Sequence, residues 1–439
     1  MPRHNPCGGR SGRPSHQKGA RTAGAPAPCP SLMPVHTPLC DPVSRVPARR
    51  LPRPLLVALT LLALLAASAC GSIARPEGWA APALAGTTLY VSLAHGKLTA
   101  VQLGDPPRQL WEFPAKDEKL PVVVEGGRTL ASPKMTKITF EGLYGDPIVT
   151  ADTVYLTAYS GHVAALNRED GRARWVAALP GRVVGGALLE GDRLYVGTTE
   201  GDLFALDRGS GAVQWRRSLA TEIWSTPVLA GGQIVVTGMD GTVAALTADG
   251  TTRWRRKLAG AAIASTPAVQ GDRLYVGAFD KRFYAVDAAT GELVWRSRPA
   301  DNWFWTQAVV AGDRVYAGSL GGTLYAFPLE GSSLELAPTW ARKLDSMIRS
   351  RPVLVNGVLV VGTREGRLFG LRPEDGAFAW EVSSTPAADD PAAPRGDLFA
   401  DLLAADSRVY VATEHLRKDG NLYVFDLATR RVTEVRLKS

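Results

Sequence analysis

The segment "GDRLYVGAFDKRFYAVDAATGELVW" (residues 271–295) decides the fold, because copies of it recur along the chain. Two close copies, "GDRLYVGTTEGDLFALDRGSGAVQW" (191–215) and "GGQIVVTGMDGTVAALTADGTTRW" (231–254), begin at intervals of forty residues. Further copies begin at residues 86, 151, 312, 356 and 406, which makes eight in all. A repeat of this length that runs through a chain is typical of propellers and solenoids.

Each copy contains about four short β-rich runs separated by turn residues, which predicts a four-stranded antiparallel meander. Runs such as "RLYVG" (193–197) and "LFALD" (203–207) do not alternate between apolar and polar residues, so both faces of each sheet must be covered. In a β-propeller every sheet packs between two neighbours around a central axis. The sequence therefore predicts an all-β fold, an eight-bladed β-propeller of four-stranded antiparallel blades over residues 76–439.

One hairpin of each copy has a glycine at a fixed place, which predicts a positive φ there. These glycines are Gly161, Gly201, Gly241, Gly322, Gly366 and Gly420. Lys281 occupies this place in the copy at 271–295, so we expect its turn to be strained or rearranged.

Seven tryptophans occupy the outer strand of successive copies, and only the last copy lacks one. They are Trp111, Trp175, Trp215, Trp254, Trp295, Trp340 and Trp380. A large apolar side chain repeated once per blade is explained by packing between adjacent blades, at roughly 1.5–3 kcal/mol of burial each. We favour this role over a set of rings that stack on a ligand.

The stretch "YVGAFDKRFYAVDAATGELVW" (275–295) and its sister copies resemble the pyrroloquinoline-quinone (PQQ)-type propeller repeat. That family includes quinoprotein alcohol dehydrogenases and the outer-membrane assembly lipoprotein BamB. The resemblance covers nearly all of residues 76–439 and implies that the first strand of each blade is innermost and lines a central channel. It implies the fold and leaves function open, because the hosts of the repeat range from enzymes to scaffolds.

A mixed set of side chains opens the first strand of the eight copies, at the place held by Trp224 in "TEIWSTPVLAGG" (221–232). In chain order the set is Trp79, Tyr144, Val184, Trp224, Ala264, Trp305, Arg349 and Phe399, with Arg182, Glu222, Trp303 and Asp397 as neighbours. Aromatic rings with an arginine suit a planar anionic ligand or a docked peptide. The alternative is that these side chains plug the axis. We name Trp79, Tyr144, Trp224, Trp303, Trp305, Arg349 and Phe399 as the candidate binding site.

Two connections are longer than the repeat requires, residues 115–145 and 384–399. Long loops on a rigid scaffold often carry function. In the first, Val122–Val124 and Ile138–Phe140 are expected to pair as an extra hairpin.

Residues 45–69 have the layout of a secretory signal, with four arginines followed by an apolar run at Leu55–Ala69. The run is shorter than the roughly 20 residues that span a bilayer. The ending Ala67-Ser68-Ala69-Cys70 resembles a bacterial lipobox, which implies a lipid anchor on Cys70, and an ordinary cleavage site is the alternative. Residues 1–44 are rich in Pro, Gly, Arg and Ser, which predicts disorder, and Met33 is an alternative start.

The net charge of +8 resides in the leader, because residues 1–69 carry nine Lys or Arg and one acid. Of the 50 basic and 42 acidic residues, 41 of each remain from residue 70 onward, which gives no reason to expect a nucleic-acid partner. Cys70 is the only cysteine beyond the leader, so the vicinal pair of quinoprotein dehydrogenases cannot form there. No HExxH, GxSxG or Walker A pattern occurs, and His95, His162 and His415 are expected to be solvated turn residues.

These observations favour an exported, lipid-anchored propeller that is a non-catalytic binding or assembly scaffold. One specific version of this role is a BamB-like part in outer-membrane protein assembly. We expect an envelope protein as partner, a monomeric propeller, and no cofactor or metal. The alternative is a redox protein that binds PQQ with calcium, or another planar ligand, in the aromatic channel mouth.

Overall fold

The computed structural model describes residues 78, 80–93, 96–104, 106–331, 333–382, 397–415 and 418–435. The signal segment, Cys70, Trp79 and most of the connection at 384–399 lie outside these residues. Within them the chain forms eight blades, each with a core of four antiparallel strands, which confirms the predicted eight-bladed propeller.

The four core strands of each blade are paired in chain order, so that the first of them is innermost and the fourth is outermost, and the extra strands of blades 2 and 5 are added at the outer edge. Blade 1 has β1 (Ala83–Ala85), β2 (Thr88–Leu93), β3 (Lys97–Gln102) and β4 (Arg108–Phe113). Blade 2 has β5 (Lys119–Glu125), β6 (Arg128–Lys137), β7 (Ile148–Val149), β8 (Thr153–Thr157), β9 (His162–Asn167) and β10 (Ala173–Ala178). Blade 3 has β11 (Ala187–Glu190), β12 (Arg193–Gly197), β13 (Asp202–Asp207) and β14 (Val213–Ser218). Blade 4 has β15 (Val228–Ala230), β16 (Gln233–Thr237), β17 (Thr242–Leu246) and β18 (Thr252–Lys257).

The second half of the ring repeats this order. Blade 5 has β19 (Ala268–Gln270), β20 (Arg273–Gly277), β21 (Phe283–Asp287), β22 (Leu293–Ser297) and an added strand, β26 (Glu335–Leu336). Blade 6 has β23 (Val309–Ala311), β24 (Arg314–Gly318), β25 (Thr323–Pro328) and β27 (Trp340–Lys343). Blade 7 has β28 (Val353–Val355), β29 (Val358–Gly362), β30 (Leu368–Leu371) and β31 (Phe378–Val382). Blade 8 has β32 (Leu403–Ala405), β33 (Arg408–His415), β34 (Lys418–Asp426) and β35 (Arg431–Val435).

The hairpin between the second and third strands has the predicted glycine conformation in most blades. Gly161, Gly201, Gly241, Gly322 and Gly366 all have φ between +80° and +86°. Lys281 has a φ of 67° at this place, which confirms the expected strain, since a side chain with a Cβ rarely adopts that region. The prediction for Gly420 is wrong, because β33 and β34 pair as far as His415 and Lys418 and Gly420 lies inside β34.

An extra hairpin does extend blade 2, but not with the predicted pairing. β5 pairs with β6, so Val122 lies opposite Lys134, and the predicted partner Ile138–Phe140 is not a strand. Phe140 instead lies in the core, with its ring 5.1 Å from that of Phe113. The prediction placed Ile138–Phe140 in a sheet. Phe140 is instead buried against residues of blade 1 in the core.

The repeated tryptophans join each blade to the next, which confirms the inter-blade role. In six of them the indole N–H donates to a main-chain carbonyl of the following blade at 2.9–3.2 Å. These six are Trp111, Trp175, Trp215, Trp254, Trp295 and Trp340. In blade 7, the Trp380 ring packs 4.9 Å from Phe425 of blade 8. The tryptophan therefore contributes apolar area and satisfies a carbonyl at the same time.

Glycine in the following blade makes room for the ring. A Cβ on Gly291 would lie 2.4 Å from the Trp254 ring, and one on Gly211 would lie 2.5 Å from the Trp175 ring. Both glycines also have a φ of 73°. Each of these two glycines is thus required twice, for the backbone conformation and for contact with the indole.

Among the described residues, side-chain packing rather than a shared strand closes the ring. Leu89 and Val91 of blade 1 form one cluster with Tyr410, Leu422 and Val435 of blade 8. Strands β1 to β4 and β32 to β35 each stay within their own sheet, so no strand is shared across this junction. Ring closure therefore covers the apolar faces with which the first and last blades meet.

Replacing Trp254 by Ala is expected to lower the free energy of unfolding by about 3–5 kcal/mol, since the buried ring and its hydrogen bond to Ala288 are both lost. Trp254→Phe should cost less, about 1–3 kcal/mol, because it leaves the carbonyl of Ala288 unpaired but fills most of the space. Urea unfolding followed by circular dichroism measures both values. Trp303→Ala, which removes a side chain that is 42% exposed, is the control and should change stability by under about 1 kcal/mol. Equal losses for Trp254→Ala and Trp303→Ala would contradict the inter-blade role.

Candidate functional site: the mouth of the central channel

The side chains predicted to open the innermost strands do come together around one cavity of about 320 Å³ at the propeller axis. Its lining includes Tyr144, Val184, Trp224, Ala264, Trp305, Arg349 and Phe399, one from each of blades 2 to 8. Each of them precedes the innermost strand of its blade by three or four residues. Trp79 lies outside the described residues, so its place in this ring stays a prediction. The side chains line the axis and leave space rather than filling it.

The rings at this mouth contact one another and the arginine. Trp224 and Trp305 meet at a centroid distance of 6.3 Å, although they belong to blades 4 and 6. The guanidinium of Arg349 lies 4.9 Å from the Trp305 ring on one side and 4.9 Å from the Phe399 ring on the other. Cation–π contacts of this kind hold an arginine at an aromatic surface.

Trp303 is a neighbour of the cavity rather than part of its lining. Its ring stacks on Phe279 at 4.7 Å, and Phe279 in turn stacks on Trp305 at 5.2 Å. The three rings form a continuous apolar path from the exposed rim into the cavity. Phe279, which lies between the second and third strands of blade 5, was missed by the sequence interpretation because only the first strand of each copy was compared.

The charged side chains next to the mouth form hydrogen bonds with other residues of the same face. Arg182 donates to the Tyr159 hydroxyl at 2.9 Å, and Glu222 accepts from the indole of Trp224 at 2.9 Å. Asp397 accepts from Arg364 at 3.1 Å. These bonds hold the rim side chains in place, so the mouth is an ordered surface of mixed charge.

A second layer of polar side chains lies directly beneath the aromatic ring. Two residues further along each innermost segment stand Asp146, Gly186, Thr226, Thr266, Gln307, Arg351 and Asp401, all of which line the cavity. Sequence reasoning missed this layer. The period of two in an extended chain would have identified it, because residues i and i+2 point to the same side.

Hydrogen bonds from this layer connect neighbouring blades around the channel. The Thr226 hydroxyl accepts from the Gly186 amide at 2.8 Å, and the Thr266 hydroxyl accepts from the Thr226 amide at 3.0 Å. The carboxylates of Asp146 and Asp401 accept in the same way from the amides of Ala81 and Arg351, at 2.9 and 2.6 Å. In blades 2, 4, 5 and 8 a side chain of this layer thus satisfies a backbone amide of the preceding blade.

Arg351 lies between the two channel carboxylates. Its guanidinium nitrogens are 3.9 Å from Asp146 and 3.8 Å from Asp401, and one of them donates to Gln307 at 2.8 Å. Enclosure by the channel walls raises the pKa of Asp401 to about 6, opposed by Arg351 and aided by the like charge of Asp146. Enclosure also raises the pKa of Asp146, although 46% of that side chain remains accessible from the cavity and solvent moderates the shift.

A calcium-bound quinone needs several oxygen ligands around its metal ion. The described residues contain no group of three His, Cys, Asp or Glu side chains placed to hold a metal ion. The two channel carboxylates each face Arg351 instead. An aromatic cavity with a rim arginine suits the ring system and acidic groups of such a quinone, but the carboxylate arrangement does not fit its calcium ion.

His162 is not the solvated turn residue that the sequence indicated. It begins β9, its ring lies 5.3 Å from that of Phe140, and its Nδ1 is 2.9 Å from the Ser160 hydroxyl oxygen. Burial lowers the pKa of His162 and so favours the neutral ring. The side chains of His95 and His415 lie outside the described part of the chain. In that part no helix is long and apolar enough to cross a membrane.

Eight blades with inter-blade tryptophans and an aromatic channel mouth define the class of the protein, an eight-bladed β-propeller of PQQ-like repeats. A family model described as "Outer membrane protein assembly factor BamB" matches residues 75–238, 160–381 and 239–437, which overlap and together cover almost the whole propeller. The chain belongs to this family, as the repeat resemblance predicted.

Individual relatives are 14–30% identical to this chain over the matched residues. The outer membrane protein assembly factor BamB of Alkalilimnicola ehrlichii is 30% identical over 105 residues, a stretch that spans 24% of each chain. The crystal structure of BamB from Moraxella catarrhalis is similar in fold, with a TM-score of 0.59 and 20% identity over 78% of this chain and 93% of that one. A computationally designed protein, Ika8, is similar in fold with a TM-score of 0.58 and 14% identity over 77% of this chain and 94% of its own.

The shifted pKa of Asp401 predicts a dependence of stability on pH. A carboxyl whose pKa rises from 3.8 to about 6 on folding binds more protons in the folded state between these values. Its stabilising contribution is therefore complete below about pH 4 and is lost as the pH rises through 6. We expect Asp401→Asn to remove this part of the decline, measured as the free energy of unfolding between pH 4 and 7.

Asp426→Asn is the control for that measurement. Hydrogen bonds from Thr429 hold the pKa of Asp426 below its usual value, so its contribution is lost only as the pH falls below about 4, and the variant should leave the slope between pH 4 and 7 unchanged. A profile for Asp401→Asn that is parallel to that of the parent from pH 4 to 7 would show that Asp401 titrates normally.

Proposed function

We propose that this protein is an exported, non-catalytic binding scaffold of the cell envelope that contributes to outer-membrane protein assembly through the mouth of its channel. Membership of a family described as an outer membrane protein assembly factor supports the process. The ordered aromatic mouth supports the site, because it offers apolar area, an arginine and polar groups at the end of a rigid ring.

The observation that carries the proposal is the continuous path from Trp303 through Phe279 and Trp305 to the cavity. Trp303 is 42% exposed although it belongs to this stacked set, so an apolar surface faces solvent where the mouth begins. A cavity of about 320 Å³ admits one or two side chains of a protein segment laid over the mouth. Aromatic anchors set in a polar rim are the usual composition of a protein-binding hot spot.

A redox protein that holds PQQ with calcium is the second candidate function. The sandwich of Arg349 between Trp305 and Phe399 favours it, because a planar anionic ligand could take up the same contacts. The described residues supply no carboxylate cluster for the calcium ion, so the scaffold is the better supported of the two.

We further propose that the protein is held on a membrane surface by a lipid on Cys70 and acts as a monomeric propeller. The sequence Ala67-Ser68-Ala69-Cys70 after an apolar run supports the anchor. A propeller anchored in this way would be concentrated where envelope proteins are assembled.

A photo-crosslinking amino acid at position 303 is expected to capture an envelope protein in living cells, and the yield should fall at least about fivefold when Trp305 is also changed to Ala, by analogy with loss of a hot-spot side chain. Crosslinked products are counted by mass spectrometry. Position 354 is the matched control, because Leu354 is 40% exposed but lies beside the hairpin turn at the far end of its innermost strand.

Equal yields from positions 303 and 354 would rule out the mouth as the docking site. If purified protein instead retains added PQQ in the presence of calcium and reduces a dye, the redox function replaces the scaffold. Thermal unfolding of the Trp305→Ala variant shows whether it has folded.

Replacing Cys70 by Ser is expected to move the protein from the membrane fraction to the soluble fraction, because no thiol remains to be acylated. Ser68→Ala, two residues away, serves as the control and should leave the protein with the membranes. Fractionation and blotting measure the distribution. If parent and Cys70→Ser distribute alike, Cys70 does not carry the anchor.

A further inference from the structure

Two neighbouring outer strands, β14 of blade 3 and β18 of blade 4, concentrate positive charge on the rim of the propeller. The first reads "VQWRRS" and the second "TRWRRK", and neither contains an acidic residue. Their cations are all exposed: Arg216, Arg217, Arg253, Arg255, Arg256 and Lys257. This set is called the basic rim below.

The basic rim does not follow from overall composition. From residue 70 onward the chain has equal numbers of basic and acidic residues, 41 of each. The outermost strand on the opposite side of the ring, β35 of blade 8, reads "RVTEV" and carries one charge of each sign. The outer strands of blades 3 and 4 therefore carry an excess of positive charge that the outer strand of blade 8 does not.

Only part of the basic rim is neutralised by neighbouring acids. Arg216 contacts Asp202 at 2.6 Å and Arg255 contacts Asp240 at 3.5 Å. Arg217 and Arg256 donate to main-chain carbonyls, those of Gly250 and Arg255. In the part of the chain that the structure describes, Arg217, Arg253 and Arg256 form no ion pair with an acidic side chain within 4 Å. These three guanidinium groups leave the rim with net positive charge.

The rim also lacks an apolar centre. The large hydrophobic side chains that are exposed among the described residues, such as Met135, Trp303 and Phe378, lie on other strands or loops. A structured protein partner is usually held by buried aromatic or aliphatic anchors. A bilayer with anionic headgroups needs no such anchor, because it presents many phosphates to a flat array of cations.

We propose that the basic rim of blades 3 and 4 docks the propeller on a bilayer that contains anionic phospholipids. The rim is on the perimeter of the ring, so the molecule would lie with its side on the membrane. Both ends of the channel would then stay clear of the lipid, and the mouth would remain accessible from the aqueous side. This proposal is independent of what the mouth binds.

The test is vesicle co-sedimentation of the full chain carrying Cys70→Ser, so that no acyl chain contributes. Vesicles of phosphatidylcholine with 30% phosphatidylglycerol are compared with pure phosphatidylcholine at low and high salt. Each cation near an anionic membrane contributes roughly a fivefold gain in affinity. The triple variant Arg253→Gln, Arg256→Gln and Lys257→Gln should therefore bind the anionic vesicles at least about tenfold more weakly than its parent, and salt should weaken the parent in the same way.

The matched control removes three exposed cations from blade 8, by Arg408→Gln, Arg430→Gln and Arg431→Gln. It should bind within about twofold of the parent, and any lipid affinity of residues 1–77 cancels because all variants share them. Circular dichroism and thermal unfolding check that both triple variants are folded.

Three results would overturn the proposal. The first is unchanged binding of the rim variant, or an equal loss in the blade 8 variant. The second is equal binding of the parent to phosphatidylcholine alone. The third is release of the protein from vesicles by a DNA duplex or by inorganic phosphate, added at the same phosphate concentration as the lipid. Such release would show that the rim binds polyanions or free phosphate generally rather than a bilayer.

Discussion

The contact between the tryptophan of one blade and the following blade is the interaction on which the rest of the structure depends. A single blade cannot bury its own two apolar faces, so each face must be covered by a neighbouring blade. The indole covers that area and fixes the spacing, because its N–H donates to one particular carbonyl, as Trp254 does to Ala288. Glycine at positions such as Gly291 then becomes necessary, since the ring occupies the place of a Cβ.

The centre of the ring follows a different rule. Small residues such as Gly145 and Gly185 let the innermost segments approach until a Cβ would meet backbone atoms of the next blade at 2.3–2.4 Å. The residues on either side of this small layer point into the channel, where one set bonds the blades together and the other forms the mouth. Contacts outside the mouth hold the blades together. The residue that each blade contributes to the mouth can therefore differ, from Ala264 to Trp305, without loss of the ring.

The repeat pattern contained almost everything needed for the fold, because the blade number, the tryptophan contacts and the strain at Lys281 each follow from a residue at a fixed place. The candidate site was accessible only in part. The mouth ring could be aligned, but the channel charges Asp146, Arg351 and Asp401 belong to three different blades and meet only through ring closure. The pairing of β5 with β6 and the addition of β26 were also beyond the sequence, since no periodicity distinguishes one exposed edge partner from another.

Each four-stranded blade core takes its strands in chain order, and no strand is shared where blade 8 meets blade 1, which has a consequence for how such a ring arises. A gene segment that encodes a single blade can be duplicated or lost without splitting any four-stranded core, and most newly adjacent blades already carry matching tryptophan and glycine positions. The circumference is therefore set by how many units close without a gap. Change in copy number offers such an ancestor a short evolutionary route between rings of different diameter.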